Sequence, residues 1–246
     1  MAYQLHYWPG IPGRGEFVRL ALEAAGADYV EVCRGDAAQG LGVPAMLHYL
    51  EDAAVPRPPF ACPFLVDGKT VVGQTAAILL YLGPRLGLVP QREADRLWAH
   101  QVQLTIADLV QEVHDLHHPI AGNLYYEDQK AEALRRSEDF RRERLPKFMA
   151  WFEAVLQRNA GNAAREVPRM IRGRLGYVDL SVFQLVEGLL YALPKATRRV
   201  LKKAPLVGAL HAGVPRQRRL AAYLASERRL PFNEQGIFRH YPELDA

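Results

Sequence analysis

The sequence predicts a mixed α+β unit at its start and an all-helical block after it. Three observations carry that expectation. Short apolar runs alternate with helical patterns over the first 82 residues, a hairpin signal at Asp67–Gly68 separates two β-rich runs, and from Glu93 onward the periodicity is almost wholly helical. With 246 residues, 49% of them apolar, the chain can bury a core as one large domain or two small ones.

Each element has its own reason. Gln4 to Trp8 reads as the first strand, and Tyr29 to Cys33 as the second. Between them Phe17, Leu20, Ala21, Ala24 and Ala25 recur at helical spacing from Glu16, and Gly26 supplies a stop. A strand–helix–strand order implies a parallel pair. Residues 34–58 are rich in Gly, Pro and Ala, with a short helix around Ala45 to Leu50. Phe64–Val66 and Thr70–Val72 flank Asp67–Gly68, a dipeptide suited to the positive φ angles of tight hairpin turns. Ala76 to Leu82 is a short apolar helix closed by Gly83. The stretch "GPRLGLVPQRE" has linker composition, which sets the expected units at 1–83, a linker at 84–92, and a helical domain at 93–246.

In the helical block, Leu97, Leu104, Leu109, Val113 and Leu116 suggest one helix ending near His118–Pro119. A second is expected from Gln129 to Gln157, kinked at Pro146. Val178 to Leu190 is nearly continuous apolar, the mark of a buried central helix. Thr197 to about Arg229 reads as basic amphipathic helices with an irregular tail.

Composition removes several functions. The net charge of +4 is a mild excess, and the basic runs at Arg135–Arg136, Arg141–Arg142–Arg144, Arg198–Arg199 and Lys202–Lys203 are interleaved with acids or lie on amphipathic helices. Solvated faces account for them better than nucleic acid does. No charged-then-apolar leader opens the chain, and no apolar run approaches the roughly 18 residues of a membrane span. Two cysteines, Cys33 and Cys62, form neither a disulfide framework nor a Cys-x-x-Cys pair, so a soluble protein of a reducing, cytoplasmic compartment is expected.

The chemistry-bearing residues gather at four places. The first is "YWPGIPGRGEF", with Tyr7 at the end of the first strand and Arg14 before the first helix. Its glycines are spaced G-x-x-G-x-G, and no acid closes the second strand, so a dinucleotide loop is a poor fit. The second is "ACPF", with Cys62–Pro63 just ahead of the third strand. The third is "GQTAAILLYL", with Gln74–Thr75 opening a helix. The fourth is "ADLVQEV", with Asp108 on a helix, followed much later by "GYVDLSVFQL".

Together these stretches resemble a thioredoxin-like domain joined to an all-helical one, the architecture of the soluble (cytosolic) glutathione S-transferases. The likeness covers essentially the whole chain and is similar to a tyrosine-type, bacterial-looking member. It implies that Tyr7 donates a hydrogen bond to the sulfur of glutathione and that Arg14 adds positive potential. A cysteine-like thiol with a pKa of about 8.5 is only about 3% thiolate at pH 7, and the thiolate is the nucleophile. The resemblance also implies a cis bond before Pro63, with the Cys62 backbone pairing with the cysteinyl part of the tripeptide. Thr75, as a hydroxyl cap on a helix N-terminus, would hold the γ-glutamyl carboxylate beside Gln74. Asp108 would reach the glutamyl amine across a homodimer interface. Asp179 is structural, pairing back to the start of the buried helix where Gly176 stands in place of a hydroxyl residue.

Cys62 reads as a small buried apolar residue, with a mixed disulfide to glutathione as the alternative. The residue for the glycyl carboxylate is unassigned, with Arg34, His48 and Arg57 as the basic candidates. Trp8 and His114, or His117, border the acceptor pocket. His114 and His118 share a helix face but lack a His-Glu-x-x-His pattern, so no metal is expected. The implied activity is conjugation of glutathione to small electrophiles, a detoxification reaction needing no nucleotide. The alternatives are a glutathione-dependent peroxidase or isomerase, and a non-catalytic binder of glutathione or apolar ligands. A thiol–disulfide oxidoreductase of thioredoxin type fits poorly, because Tyr7, Trp8, Pro9 and Gly10 occupy the region where that mechanism needs two cysteines.

Overall fold

The computed structural model of the chain describes residues 2–246. Its sheet has four strands, β1 (Tyr3–His6), β2 (Tyr29–Glu31), β3 (Phe64–Asp67) and β4 (Thr70–Gly73), in the order β2-β1-β3-β4. β1 and β2 are parallel, while β3 runs antiparallel to both β1 and β4. Between β1 and β2 lies helix α1 (Gly15–Ala25), ended by Gly26 at φ 67°, a left-handed angle that glycine adopts without steric cost. Asp67 pairs with Thr70 across a two-residue turn whose first residue, Gly68, has φ 57°. This is the thioredoxin-like arrangement followed by helices that the sequence implied.

Strand alternation sorts the two faces of the sheet. Leu5 and Leu65 point to one face, where they meet Val18 and Leu22 of α1 and Ile78 and Leu82 of α3 (Thr75–Arg85). His6, Phe64 and Val66 point to the other, beneath α2 (Gly42–Glu51) and its Met46. His6 stacks on Phe64 with centroids 4.3 Å apart, and neither of its ring nitrogens has a hydrogen-bond partner. Burial lowers its pKa from 6.5 to about 4.

The helical block is α4 (Glu93–His114), α5 (Lys130–Asp139), α6 (Leu145–Arg158), α7 (Tyr177–Ala192), α8 (Pro194–Leu201), α9 (Pro205–Gly213) and α10 (Arg218–Leu224). The expected central helix is α7, buried almost all round. Asp179 holds its start, accepting the Gly176 N–H at 2.8 Å and the Met170 N–H at 2.7 Å. Burial raises this carboxyl to about 6, against the pull of those two amides. Gly176 has its own reason to lack a side chain: a Cβ there would press on the Leu88 carbonyl, which accepts the Tyr177 N–H at 2.9 Å. One large core joins the two halves, with Phe17, Leu20 and Ala21 of α1 packing into the helical block. Gly83 lets the Tyr177 ring lie directly on α3.

Several sequence expectations need correction. The first strand ends at His6, so Tyr7 and Trp8 lie just beyond it, and the second ends at Glu31, where a tight turn (Val32–Arg34) begins. α3 continues through Gly83 and Pro84 to Arg85, two residues into the span expected as linker. Proline in a last turn costs little there, because the Leu86 and Leu88 amides still close onto Leu82 and Gly83. α4 stops at His114 rather than near His118. Its buried face is Ala99, Val102, Ile106, Leu109 and Val113, while Leu97 and Leu104 are exposed. The helix expected over Gln129–Gln157 is two helices separated by a π-turn at Phe140–Arg144, in which the Leu145 N–H bonds the Phe140 carbonyl five residues back. Pro146 explains it: without an N–H, that residue cannot bond the carbonyl of Arg142, and the ladder widens just ahead of it.

Candidate active site

Tyr7 sits where β1 gives way to the loop 8–14, and it is 4% exposed. Its ring is clasped by two glycines: a Cβ on Gly13 would collide with the hydroxyl, and one on Gly15 with the ring. Gly13 also has φ 42°, so both its conformation and its neighbour require glycine. The phenol oxygen accepts the Arg14 backbone N–H at 2.9 Å. That bond occupies a lone pair and leaves the hydroxyl proton free to be donated elsewhere. Burial pushes the Tyr7 pKa up, and the Arg14 amide only partly offsets it, so the group is a phenol at neutral pH and therefore a donor.

Arg14 ties the loop to both domains. Its guanidinium donates to Gln111 Oε1 on α4 at 2.9 Å, and its carbonyl accepts the Thr75 hydroxyl at 3.4 Å. Gln111 in turn donates to Asp115, which also meets His114 Nδ1 at 3.1 Å. The Arg14 amide thus serves the Tyr7 oxygen, while its guanidinium, expected to lend positive potential beside the phenol, reaches across to the helical block.

Arg14, Gln74, Thr75, Ala76 and Ala77 share a cavity of about 330 Å³ with the α4 face around His100, Gln103 and Ala107. The first amides of α3 open onto it, unpaired within the helix as at any helix start. Thr75 is not the capping residue expected: Gln74 occupies that position, no side-chain cap forms, and the Thr75 hydroxyl turns to Arg14 instead. Gln74 has φ 64°, the one non-glycine left-handed residue among those described. Side chains tolerate that angle only when surroundings impose it, and such strain collects at ligand sites.

The Cys62–Pro63 bond is cis. Cys62 is half-buried beside the Met46–Phe64 cluster. Burial raises its pKa, which favours the thiol and the packing role over the redox one.

A buried charge network fixes the loop from behind. Arg19 and Glu16 are both fully buried. Arg19 donates to the Pro12 carbonyl at 3.1 Å and to Glu16 at 3.2 Å, and it pairs with Glu31 of β2. Glu16 accepts the Tyr223 hydroxyl of α10 at 2.7 Å and pairs with Arg229. Asn233 donates to the Gly10 carbonyl at 2.9 Å, and His117 Nε2 meets the Ile237 carbonyl at 2.8 Å. None of Arg19, Gln111, Tyr223 or Asn233 was singled out from sequence. The signal available was three charges, Glu16, Arg19 and Glu23, on an otherwise apolar α1.

The remaining candidates are spread out. Asp108 is exposed on α4 and does not line the cavity of its own chain. Trp8 is 41% exposed, at the start of the loop. His114 lies at the end of α4, its ring 5.4 and 5.0 Å from those of His117 and His118. His118 bonds the Leu124 carbonyl at 3.1 Å, so the cluster is turned to structural partners. Of the basic candidates for a glycyl carboxylate, Arg34 is bound to the Arg228 carbonyl and His48 to Asp52. Arg57 is exposed in the loop ahead of Pro63.

Comparison with known proteins gives this geometry a context. Residues 114–227 match the family described as "Glutathione S-transferase, C-terminal domain". Over 205 residues the chain is 23% identical to a glutathione S-transferase of Plasmodium falciparum (isolate 3D7), covering 82% of this chain and 86% of that protein. A second, from Plasmodium yoelii yoelii, is 24% identical over 199 residues, covering 80% and 81%. Among solved structures, a Pi-class glutathione S-transferase of Onchocerca volvulus superposes with a TM-score of 0.70 at 20% identity, covering 96% of this chain and 99% of that one. A prostaglandin synthase D of Nilaparvata lugens does so at 0.68 and 19%, covering 94% and 100%. The matches thus agree on one family as the one this chain resembles, at identities of 24% or less, and the solved structures share its fold. The organisms give no support to a bacterial origin.

Proposed function

We propose that this chain is a glutathione S-transferase, joining the thiolate of reduced glutathione to small electrophilic, mostly apolar compounds. The observation that carries the proposal is the Tyr7 oxygen. It is a buried phenol whose acceptor side is taken by the Arg14 N–H at 2.9 Å, which leaves its proton available to a ligand.

In this reading the Tyr7 O–H donates to sulfur and favours the anion. Lowering a thiol pKa by about 2 units takes roughly 2.7 kcal/mol, within reach of one or two charge-assisted hydrogen bonds. The γ-glutamyl carboxylate lies against the α3 amides beside Gln74 and Thr75, and the Cys62 backbone ahead of the cis-Pro63 pairs with the cysteinyl residue. Asp108, exposed on α4, serves the site of the second subunit in a cytoplasmic homodimer. Trp8 and His114 border the acceptor. Sulfur then attacks the electrophilic carbon, a carbon–halogen or carbon–oxygen bond breaks, and the leaving group departs with its electron pair. The scheme draws on no metal and no nucleotide. Among the described residues no helix is long and apolar enough to cross a membrane.

Ultraviolet titration of enzyme-bound glutathione tests the reading. A thiolate forming below pH 7 supports it, and a bound tripeptide that keeps its proton to about pH 8.5, the free-thiol value, refutes it. The same site could serve a peroxidase or an isomerase, and the Nilaparvata neighbour's title names a synthase. A panel of aryl halide, epoxide and hydroperoxide substrates separates these.

A further inference from the structure

Arg14 is the one arginine or lysine lining the cavity beside Gln74 and Thr75. Its guanidinium is held by an amide, the Gln111 Oε1 at 2.9 Å on the last turn of α4, and it has no ion pair among the described residues. Carboxylates stand close by, yet each is engaged elsewhere. Glu112, the next residue, accepts from Arg144 at 2.6 Å. Asp115 accepts the Gln111 Nε2–H at 2.8 Å and meets His114 Nδ1 at 3.1 Å. On the loop side, Glu16 is held by Arg19, Tyr223 and Arg229.

The Gln111 amide can lie only one way round. A guanidinium offers donors alone and an ionised carboxylate acceptors alone, so the oxygen must face Arg14 and the nitrogen Asp115. With both ends engaged, the side chain is an oriented dipole that carries no net charge. A carboxylate in its place would hold the guanidinium equally well but would cancel much of its positive potential. The amide holds it and leaves the charge whole. That charge reaches the phenol: burial is the largest influence on the Tyr7 pKa and raises it, while Arg14 works to lower it. Gln111 itself does not line the cavity, so its influence there passes through Arg14.

We infer that Gln111, a residue of the helical block, is a positioning residue for the thiol: it fixes the Arg14 guanidinium beside the Tyr7 loop without neutralising it, and so favours the thiolate of bound glutathione. The inference rests on the glutathione chemistry proposed above and adds a second-domain residue to it.

The test is ultraviolet titration of bound glutathione in the parent, Gln111→Glu and Gln111→Met, with kcat and KM measured alongside. Gln111→Glu should raise the thiol midpoint by about half a unit to one unit, the lower end of what a nearby charge does, because the pair is exposed to solvent. Turnover below pH 7 should fall about three- to tenfold in step and recover as pH passes the new midpoint. Gln111→Met removes the acceptor at similar length and should raise the midpoint less. In an Arg14→Met background, Gln111→Met should add nothing to the midpoint, since its effect runs through that guanidinium. Position 111 is exposed, so the fold should persist, and circular dichroism checks it. If Gln111→Met does not fold, Gln111→Glu alone decides. A parent thiol that keeps its proton to about pH 8.5 overturns the glutathione chemistry and this inference with it. A parent thiolate formed below pH 7, with an unmoved midpoint in Gln111→Glu, overturns this inference alone. So does a loss confined to melting temperature, or an equal effect of Gln111→Met with and without Arg14.

Discussion

Replacing Tyr7 by phenylalanine removes one oxygen that does two things, and the two losses can be measured apart. The first is the hydrogen bond proposed to reach the sulfur anion. A bond to a charged partner contributes about 1.5–3 kcal/mol, which corresponds to about 1–2 pKa units. The ultraviolet midpoint of bound glutathione should therefore rise by that amount, and turnover with an aryl chloride at pH 7 should fall roughly ten- to a hundredfold. Turnover should recover as pH is raised past the new midpoint, while glutathione affinity changes little. The second loss is local. The Arg14 amide, now bonded to the phenol oxygen at 2.9 Å, would be left without an acceptor, at a cost of about 1–3 kcal/mol in stability. Measuring at a temperature well below the variant's melting point keeps that cost out of the rate. An unchanged midpoint, or a rate loss that no increase of pH restores, would refute the role given to this phenol.

Gly13→Ala should be more severe than Tyr7→Phe, since a Cβ there collides with the Tyr7 hydroxyl at a backbone φ of 42°. Both activity and several degrees of melting temperature should be lost. Gln74→Gly should raise stability by about 1 kcal/mol by relieving the left-handed angle, yet weaken glutathione binding, as read by calorimetry on the two proteins. Arg19→Met leaves Glu16 and Glu31 without their shared partner and should cost about 3–5 kcal/mol in denaturant unfolding. His6 makes a pH prediction. Its folded pKa of about 4 lies below the ordinary 6.5, so the unfolded chain binds the proton more readily. Stability is complete above pH 6.5 and falls as pH drops towards 4, by roughly 3 kcal/mol from this group. His117, lowered to about 3, acts in the same direction. His6→Phe should make the acid limb of the stability curve shallower, and an unaltered limb would contradict this.

Where local chemistry dictates the outcome, the residues announced it. The Asp67–Gly68 signal gave a two-residue hairpin, though its turn residues are Gly68 and Lys69 with Asp67 closing β3, Gly26 ended α1, and the apolar run after Tyr177 became the buried α7. The glycines near Tyr7 were visible as a loop, but their clasp on the phenol ring was not, since it depends on how the loop returns. Leu97 and Leu104 misled because spacing alone does not say which face of a helix is covered, and in α4 smaller residues such as Ala99 face inward. The cis bond at Pro63 was legible only through resemblance. Thr75 looked like a cap because threonine at a helix start usually is one, whereas here the Arg14 carbonyl competes for its hydroxyl. Gln111, Tyr223 and Asn233 act across more than 90 residues of sequence, and no pattern of neighbours encodes such contacts.

The tether from Tyr223 to Glu16 spans 207 positions, and that from Asn233 to Gly10 spans 223. During synthesis the turn around the tyrosine therefore cannot be braced until segments more than 200 residues downstream of it have followed. Trimming by a protease after Arg218 should leave a sheet that still forms while the loop after the first strand loosens. Integrity of the far end thus becomes a condition for reactivity at the near one.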